Sequence, residues 1–222
     1  MKVAVMQPYF FPYIGYWKLM NQCDYFVIFD DVNYINKGFI DRNTIIADGK
    51  RRYIKLKITN RSQNALICNL NVHEKPLDVL NIIFEAYKKA PHFSACYSII
   101  DDICNSDETS LTNFLAFSLR RIAEHIGIKC EFVLSSSIES NHRGRNKIIP
   151  IVKHLGGSTY INMEGGAELY NHQTFADAGL TLNFVTPDTQ TLVSRRAATY
   201  GHLSIIDTLM HFEIGKVRTA IS

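Results

Sequence analysis

The opening of the chain, through Asp31, constrains the fold more than any other stretch. An apolar run from Val3 to Met6 reads as a strand and passes into the loop Gln7-Pro8-Tyr9-Phe10-Phe11-Pro12-Tyr13. A short helix follows. A second apolar strand, Tyr25 to Phe29, then ends in Asp30 and Asp31. This is a βαβ unit, and it demands a parallel pair of strands joined by a covering helix. The loop and both acids fall at the carboxyl ends of the strands, where open α/β sheets bind ligands.

The rest of the chain continues that rhythm. Asp48-Gly49, between the β-type runs Thr44 to Ile46 and Arg52 to Ile58, predicts a hairpin. Asn60 to Asn64 reads as loop and Leu66 to Val72 as a further strand. The middle is helical: Pro76 opens one helix and Pro91 ends it, His92 to Cys104 is a second, and a third runs from Thr109-Ser110 to a Gly127 cap. Strands at Cys130 to Leu134, Ser158 to Ile161 and Leu180 to Phe184 alternate with helices from Asn146 to Leu155 and from about Ala167 to Phe175. Pro150 is expected to kink the first of these helices. Leu203 to Phe212 reads as a closing helix. The pattern predicts one α/β domain over 1–222: a mainly parallel sheet, helices on both faces, and a helical insert at about 75–127.

Composition excludes several classes. At 46% hydrophobic residues, 222 residues can bury a sizeable core, yet no run of ~18 apolar residues exists to span a membrane. The N-terminus lacks the apolar stretch of a signal peptide. A net charge of +3 does not argue for a nucleic-acid protein. The five cysteines have no CxxC spacing, which argues against a disulfide scaffold and a structural zinc site, and no metal is expected. They read as thiols in a reducing cytosol.

Candidate chemistry clusters at the predicted strand ends. Gln7, Tyr9, Tyr13 and Gly15 surround the first loop, whose prolines stiffen it and whose glycine lets backbone come close. Asp30 and Asp31 can share protons, bind a metal or orient a substrate amine. Neighbouring strand residues point to opposite faces, so they form a close pair only where the strand has already ended. Asn33, Lys37, Arg42 and Asn43 offer polar and cationic groups to a phosphate or carboxylate. The basic loop around Arg145 enters a helix and is expected to hold a phosphate or diphosphate. Glu164, Gly165 and Gly166 follow a strand, where backbone amides can face a ligand. His202 is a candidate base. Ser204 and Asp207 read as a capping box opening the last helix.

The strand–loop–helix start is similar to that of the nucleotidyltransferase-like (HUP) superfamily, a Rossmannoid topology. The comparable stretch, Pro12-Tyr13-Ile14-Gly15-Tyr16, lacks the histidines that hold a triphosphate there, so the resemblance extends to topology alone. A more specific likeness spans the chain. Met6-Gln-Pro-Tyr-Phe-Phe-Pro-Tyr-Ile-Gly-Tyr-Trp17, Asp24 to Val32, Tyr34 to Asn43, Thr159-Tyr160 with Gly165-Gly166 and Tyr170, and Leu203 to Asp207 resemble the WbqC-like family. Two segments depart from its pattern. Arg143-Gly144-Arg145-Asn146 replaces a Gly-Lys-Arg-Thr type of stretch, and Asp188-Thr189-Gln190 replaces a Tyr-x-Gln segment.

The resemblance implies a bacterial cytoplasmic protein of O-antigen or related polysaccharide assembly. Its expected reaction transfers an aminoacyl group such as glycyl, or an acyl group, to the amine of a nucleotide-linked amino sugar. Asp30 or Asp31 would orient or deprotonate the amine, and Lys37, Arg42 and Arg145 would hold phosphate. The donor would be an acyl-carrier or aminoacyl species, and the cofactor is not specified. Two alternatives stand: a nucleotide-dependent ligase or nucleotidyltransferase, and a non-enzymatic module binding a sugar nucleotide or carrier protein. No nucleic-acid partner is expected.

Overall fold

A computed structural model of the chain describes residues 1–186, Leu192 and residues 201–222. Five parallel strands form the central sheet: β1 (Lys2–Met6), β2 (Tyr25–Ile28), β7 (Glu131–Leu134), β8 (Thr159–Met163) and β9 (Thr181–Val185). Their order is β7-β2-β1-β8-β9. The chain therefore builds outward from β1 in one direction and then resumes on its other side. The reversal between β1 and β8 is a topological switch point.

Strand alternation sends side chains to two cores. Val3, Val5, Val27, Tyr160 and Leu182 join one core with Ile148, Ile151 and Val152 of α5 (Ile148–His154) and Phe175 of α6 (His172–Asp177). Ala4, Phe26, Ile28, Ile161 and Met163 join a larger core on the opposite face. That face is covered by α1 (Ile14–Asn21), α4 (Leu111–Ile126) and α8 (Ile214–Ile221). Both faces are covered, as a parallel sheet requires.

Between β2 and β7 the chain makes two antiparallel pairs and three helices. The pairs are β3 (Arg42–Ala47) with β4 (Lys50–Lys55), and β5 (Ile58–Thr59) with β6 (Asn71–Val72). The helices are α2 (Leu77–Tyr87), α3 (Phe93–Cys104) and α4. Asp48 and Gly49 take φ of 51° and 71° at the β3–β4 turn, as a tight two-residue hairpin needs. Ser110 caps α4 by accepting from the Asn113 amide, and Gly127 closes it with φ of 91°.

Local readings fail where tertiary contacts decide. Leu66 to Val72 is a 3₁₀ turn (Ile67–Asn69) followed by the short β6, because the Ile67 and Cys68 amides bond to Val32 and Asp30 carbonyls instead of a ladder. Ala167 to Phe175 is broken into a 3₁₀ turn (Glu164–Leu169) and α6, with Asn171 accepting from the Gln173 amide at the new start. The helix expected from Asn146 begins at Ile148. Pro150 therefore lies in its first turn, where the missing N–H has no intrahelical partner to lose. α7 (Ile205–His211) matches the expected closing helix, and α8 follows it unforeseen. The Asp188-Thr189-Gln190 segment lies outside the described residues.

Candidate functional site

The strand β2 stops at Ile28, and the Asp30 amide bonds back to the Ile28 carbonyl at 3.1 Å. With the strand ended, Asp30 and Asp31 are not held to opposite faces. Both converge on Ser135, which follows β7, the next strand of the sheet. Asp30 Oδ1 accepts from Ser135 Oγ at 3.0 Å and from the Ser136 amide at 2.9 Å. Its Oδ2 accepts from Ser136 Oγ at 2.7 Å. Asp31 Oδ1 also meets Ser135 Oγ. A hydroxyl has one proton, so Ser135 donates to one carboxylate at a time. Lys147 Nζ completes the group, donating to Asp31 Oδ2 and to the Ser135 carbonyl, both at 2.6 Å.

Burial separates the two acids. Asp30 is 1% exposed and Lys147 is 4%, whereas the Asp31 side chain keeps 22% of its surface. A solute can reach Asp31; Asp30 is a buried brace between β2 and β7. Cys68 lies close by, its amide on the Asp30 carbonyl at 2.9 Å. Burial, then the Asp30 and Asp31 charges, push its thiol up, and Lys147 partly offsets them.

The loop after β1 forms an aromatic wall. Tyr9 packs between Tyr16 and Phe39, at centroid distances of 5.6 and 5.8 Å. The Gln7 carbonyl accepts from Tyr16 Oη at 2.9 Å, and Trp17 Nε1 donates to the Pro12 carbonyl at 3.0 Å. The Tyr13 ring lies 4.8 Å from the His202 ring, although 189 positions separate them in sequence. It also covers Gly15, where an added Cβ would come within 2.5 Å of the ring. Gly15 thus makes room for Tyr13. Burial pushes both the Tyr9 and Tyr13 phenols up, with Tyr13 adding to the effect on Tyr9.

Several cation and amide candidates serve the protein's own backbone. Arg42 Nε donates to the Gly38 carbonyl at 3.2 Å, Nη2 to the Lys37 carbonyl, and the guanidinium stacks 4.8 Å over Tyr53. Asn43 is buried and donates to the Phe10 and Phe11 carbonyls at 3.1 and 2.9 Å. It secures a loop in which Phe11 takes φ of 46°, uncommon for a residue with a side chain. Lys37 is exposed with φ of 63°, and exposed Asn33 bridges to Leu66. Ser204 caps α7 as expected, accepting from the Ile206 amide, but no capping box forms. The Ser204 amide is held by the Thr44 carbonyl, and Asp207 Oδ1 accepts from Tyr87 Oη at 3.1 Å.

A cleft of about 590 Å³ opens between the 3₁₀ turn Gly144–Lys147 and the start of α6. His142, Arg145, Asn146, Tyr170, Asn171 and Thr174 supply its polar lining, over apolar Ile149, Pro150 and Phe175. Arg145 Nη1 reaches the Leu169 carbonyl at 3.3 Å. Tyr170 Oη is fixed by Tyr160 Oη at 3.0 Å and Asn162 Nδ2 at 3.2 Å. Glu164, Gly165 and Gly166 lie in the 3₁₀ turn after β8, and nothing lies within 4 Å of a Cβ built on Gly165. Ser135, Ser136, Asn162 and the role of Lys147 escaped sequence reading. The run of three serines directly after an apolar strand was the available signal. Among the described residues no three or more His, Cys, Asp or Glu side chains gather as a metal ion would need.

These features define an α/β protein with a doubly covered parallel sheet, whose polar and acidic side chains gather beyond the carboxyl ends of its strands. Residues 7–219 match the family model of the WbqC-like protein family, and the chain belongs to that family. No curated protein and no solved structure matches it. No described helix is long and apolar enough to cross a membrane.

Proposed function

We propose that this protein transfers an aminoacyl group such as glycyl, or an acyl group, to the amine of a nucleotide-linked amino sugar during assembly of O-antigen or a related bacterial surface polysaccharide. One observation carries the reading. The single turn Gly144–Lys147 supplies Arg145 and Asn146 to the cleft and Lys147 to Asp31. A diphosphate bound by Arg145, with His142 just before the turn, would therefore be tethered through this one turn to a reachable carboxylate. The sugar amine attacks the donor's acyl carbonyl, an amide bond forms, and the bond to the donor's leaving group breaks. Asp31 takes the amine proton, and the leaving group departs to be protonated. Lys147 and Ser135 hold Asp31 in position, and Asp30 ties the two strands beneath it.

The test supplies UDP-, dTDP-, GDP- and CMP-linked amino sugars with activated glycyl or acyl donors and follows product mass. Expected is the gain of one acyl group on one sugar nucleotide, abolished by Asp31→Asn and shifted to higher KM by Arg145→Ala. No mass gain on any acceptor would overturn the transferase. The burial of Asp30, held by the Ser136 amide and hydroxyl, favours one second reading, a sugar-nucleotide binding module without turnover. That reading predicts binding that survives Asp30→Asn with no product from any donor.

A further inference from the structure

The modest net charge of the whole chain conceals a concentrated cationic face. In the β3–β4 hairpin, Arg42 pairs with Lys55, Thr44 with Tyr53 and Ile46 with Arg51. Alternation then places Arg51, Tyr53 and Lys55 on one side of β4, together with Arg42. Arg51, Tyr53 and Lys55 are all exposed, and the Arg42 guanidinium over Tyr53 joins this strand to the 35–39 turn through the Lys37 and Gly38 carbonyls. That turn exposes Ile35 (50%), Lys37 and Phe39 (52%), and Tyr53 beside it is 56% exposed. Lys50 and Arg52 are also exposed, but the same alternation sends them to the other side of β4. Among the described residues no carboxylate forms an ion pair with Lys37, Lys50, Arg51, Arg52 or Lys55. Glu74 and Asp78 are paired to Lys57, and Glu85 to Lys88; within the hairpin the one carboxylate is Asp48, exposed at its turn, against Arg42, Lys50, Arg51, Arg52 and Lys55.

We infer that this face docks on an anionic lipid bilayer. Unpaired cations alone would suit any polyanion. Here Arg42, Arg51 and Lys55 share a side with exposed Tyr53, and the adjoining turn exposes Ile35 and Phe39; Ile35 offers no ring on which a nucleic-acid base could stack. Apolar side chains that enter the headgroup region beside Lys and Arg match an anionic membrane surface. Phe39 also packs on Tyr9, and its carbonyl holds the Phe10 amide at 2.9 Å, so the docking face abuts the aromatic wall after β1. Docked this way, the carboxyl edge of the sheet sits next to the bilayer.

The full chain is tested by flotation with phosphatidylcholine vesicles and with phosphatidylcholine–phosphatidylglycerol vesicles. Expected is binding to the second alone, reduced about tenfold or more by Arg51→Glu with Lys55→Glu, and weakened by salt. Ile35→Ser with Phe39→Ser should weaken the binding that remains at high salt. An unchanged thermal midpoint in each variant shows that the fold is intact. Absence of binding to the phosphatidylglycerol vesicles overturns the inference. So does binding that neither pair of substitutions alters. Tighter binding to single-stranded RNA than to these vesicles, insensitive to Ile35→Ser with Phe39→Ser, would also overturn it and assign the face to nucleic acid.

Discussion

Lys147 Nζ lies 2.6 Å from Asp31 Oδ2, across 116 positions of sequence. The lysine is almost fully buried and its partner is partly open. Breaking a buried pair costs roughly 3–5 kcal/mol, because the surviving charge is left uncompensated; the solvent access of Asp31 lowers the expectation for Lys147→Met to about 2–4 kcal/mol. Chemical denaturation would measure it. The double variant Asp31→Asn, Lys147→Met should recover at least half of that loss, since neither charge then remains. A loss under about 0.5 kcal/mol for Lys147→Met would place the pair with ordinary surface ion pairs.

Asn43 is expected to matter for stability and not for ligand affinity. Its amide donates to the Phe10 and Phe11 carbonyls, and its Oδ1 accepts from the Thr44 amide at 2.8 Å. Asn43→Ala removes these bonds at a fully buried site and should cost about 2–3 kcal/mol. Ser204 Oγ still serves the Phe11 carbonyl at 2.8 Å, which limits the damage. Titration calorimetry on the folded variant should give nucleotide-sugar affinity within a factor of about two of the parent. A loss of affinity with unchanged stability would return Asn43 to the ligand-binding set.

The contrast between Asn43 and the βαβ start shows what sequence can carry. Strand, helix and turn signals are local: Val3 to Met6, the Asp48-Gly49 hairpin, and the Ser110 and Gly127 caps each declare themselves within a few residues. Alternating strands and helices then leave a parallel sheet as the economical packing. The residues around Asp31 are different. Ser135 meets it only because β7 pairs with β2, and Lys147 only because a 3₁₀ turn brings it back to that edge. Arg42 and Asn43 read as free ligands in sequence, because nothing there reveals which carbonyls a loop will leave for them. α8 is legible at the same local level: Ile214, Val217 and Ile221 stand at helical spacing.

His125 gives the fold a defined pH response. Burial, then the nearby Arg218 charge, lowers its pKa from the ordinary 6.5. The native state thus releases this proton more readily than the unfolded chain. Between the lowered value and 6.5, the unfolded state binds more protons, so stability rises with pH through that window. Above 6.5 the contribution is fully present, and as pH falls below 6.5 it is progressively lost. Denaturation midpoints across the window should show a positive slope that His125→Gln flattens. An identical slope in that variant would assign the response to other groups.

The five thiols should separate by reactivity. Burial pushes Cys96 and Cys104 each up to about 12, and the thiolate, the reactive form, is then scarce at pH 8. Cys23 is driven up by its hydrogen bond to Cys130 and then by burial. Cys68 is raised too, but it is only partly buried, on the 3₁₀ turn beside Asp31. Limited alkylation of the native protein followed by peptide mass mapping should find the two partly buried thiols, Cys68 and Cys130, labelled before Cys23, Cys96 and Cys104. Cys96 and Cys104 should label at comparable rates only after denaturant is added. If either is modified in the native state as fast as Cys68, the α3 side of the larger core opens more readily than its packing implies. A saturating ligand that contacts Asp31 should slow Cys68 labelling alone, which makes this thiol a built-in reporter of site occupancy.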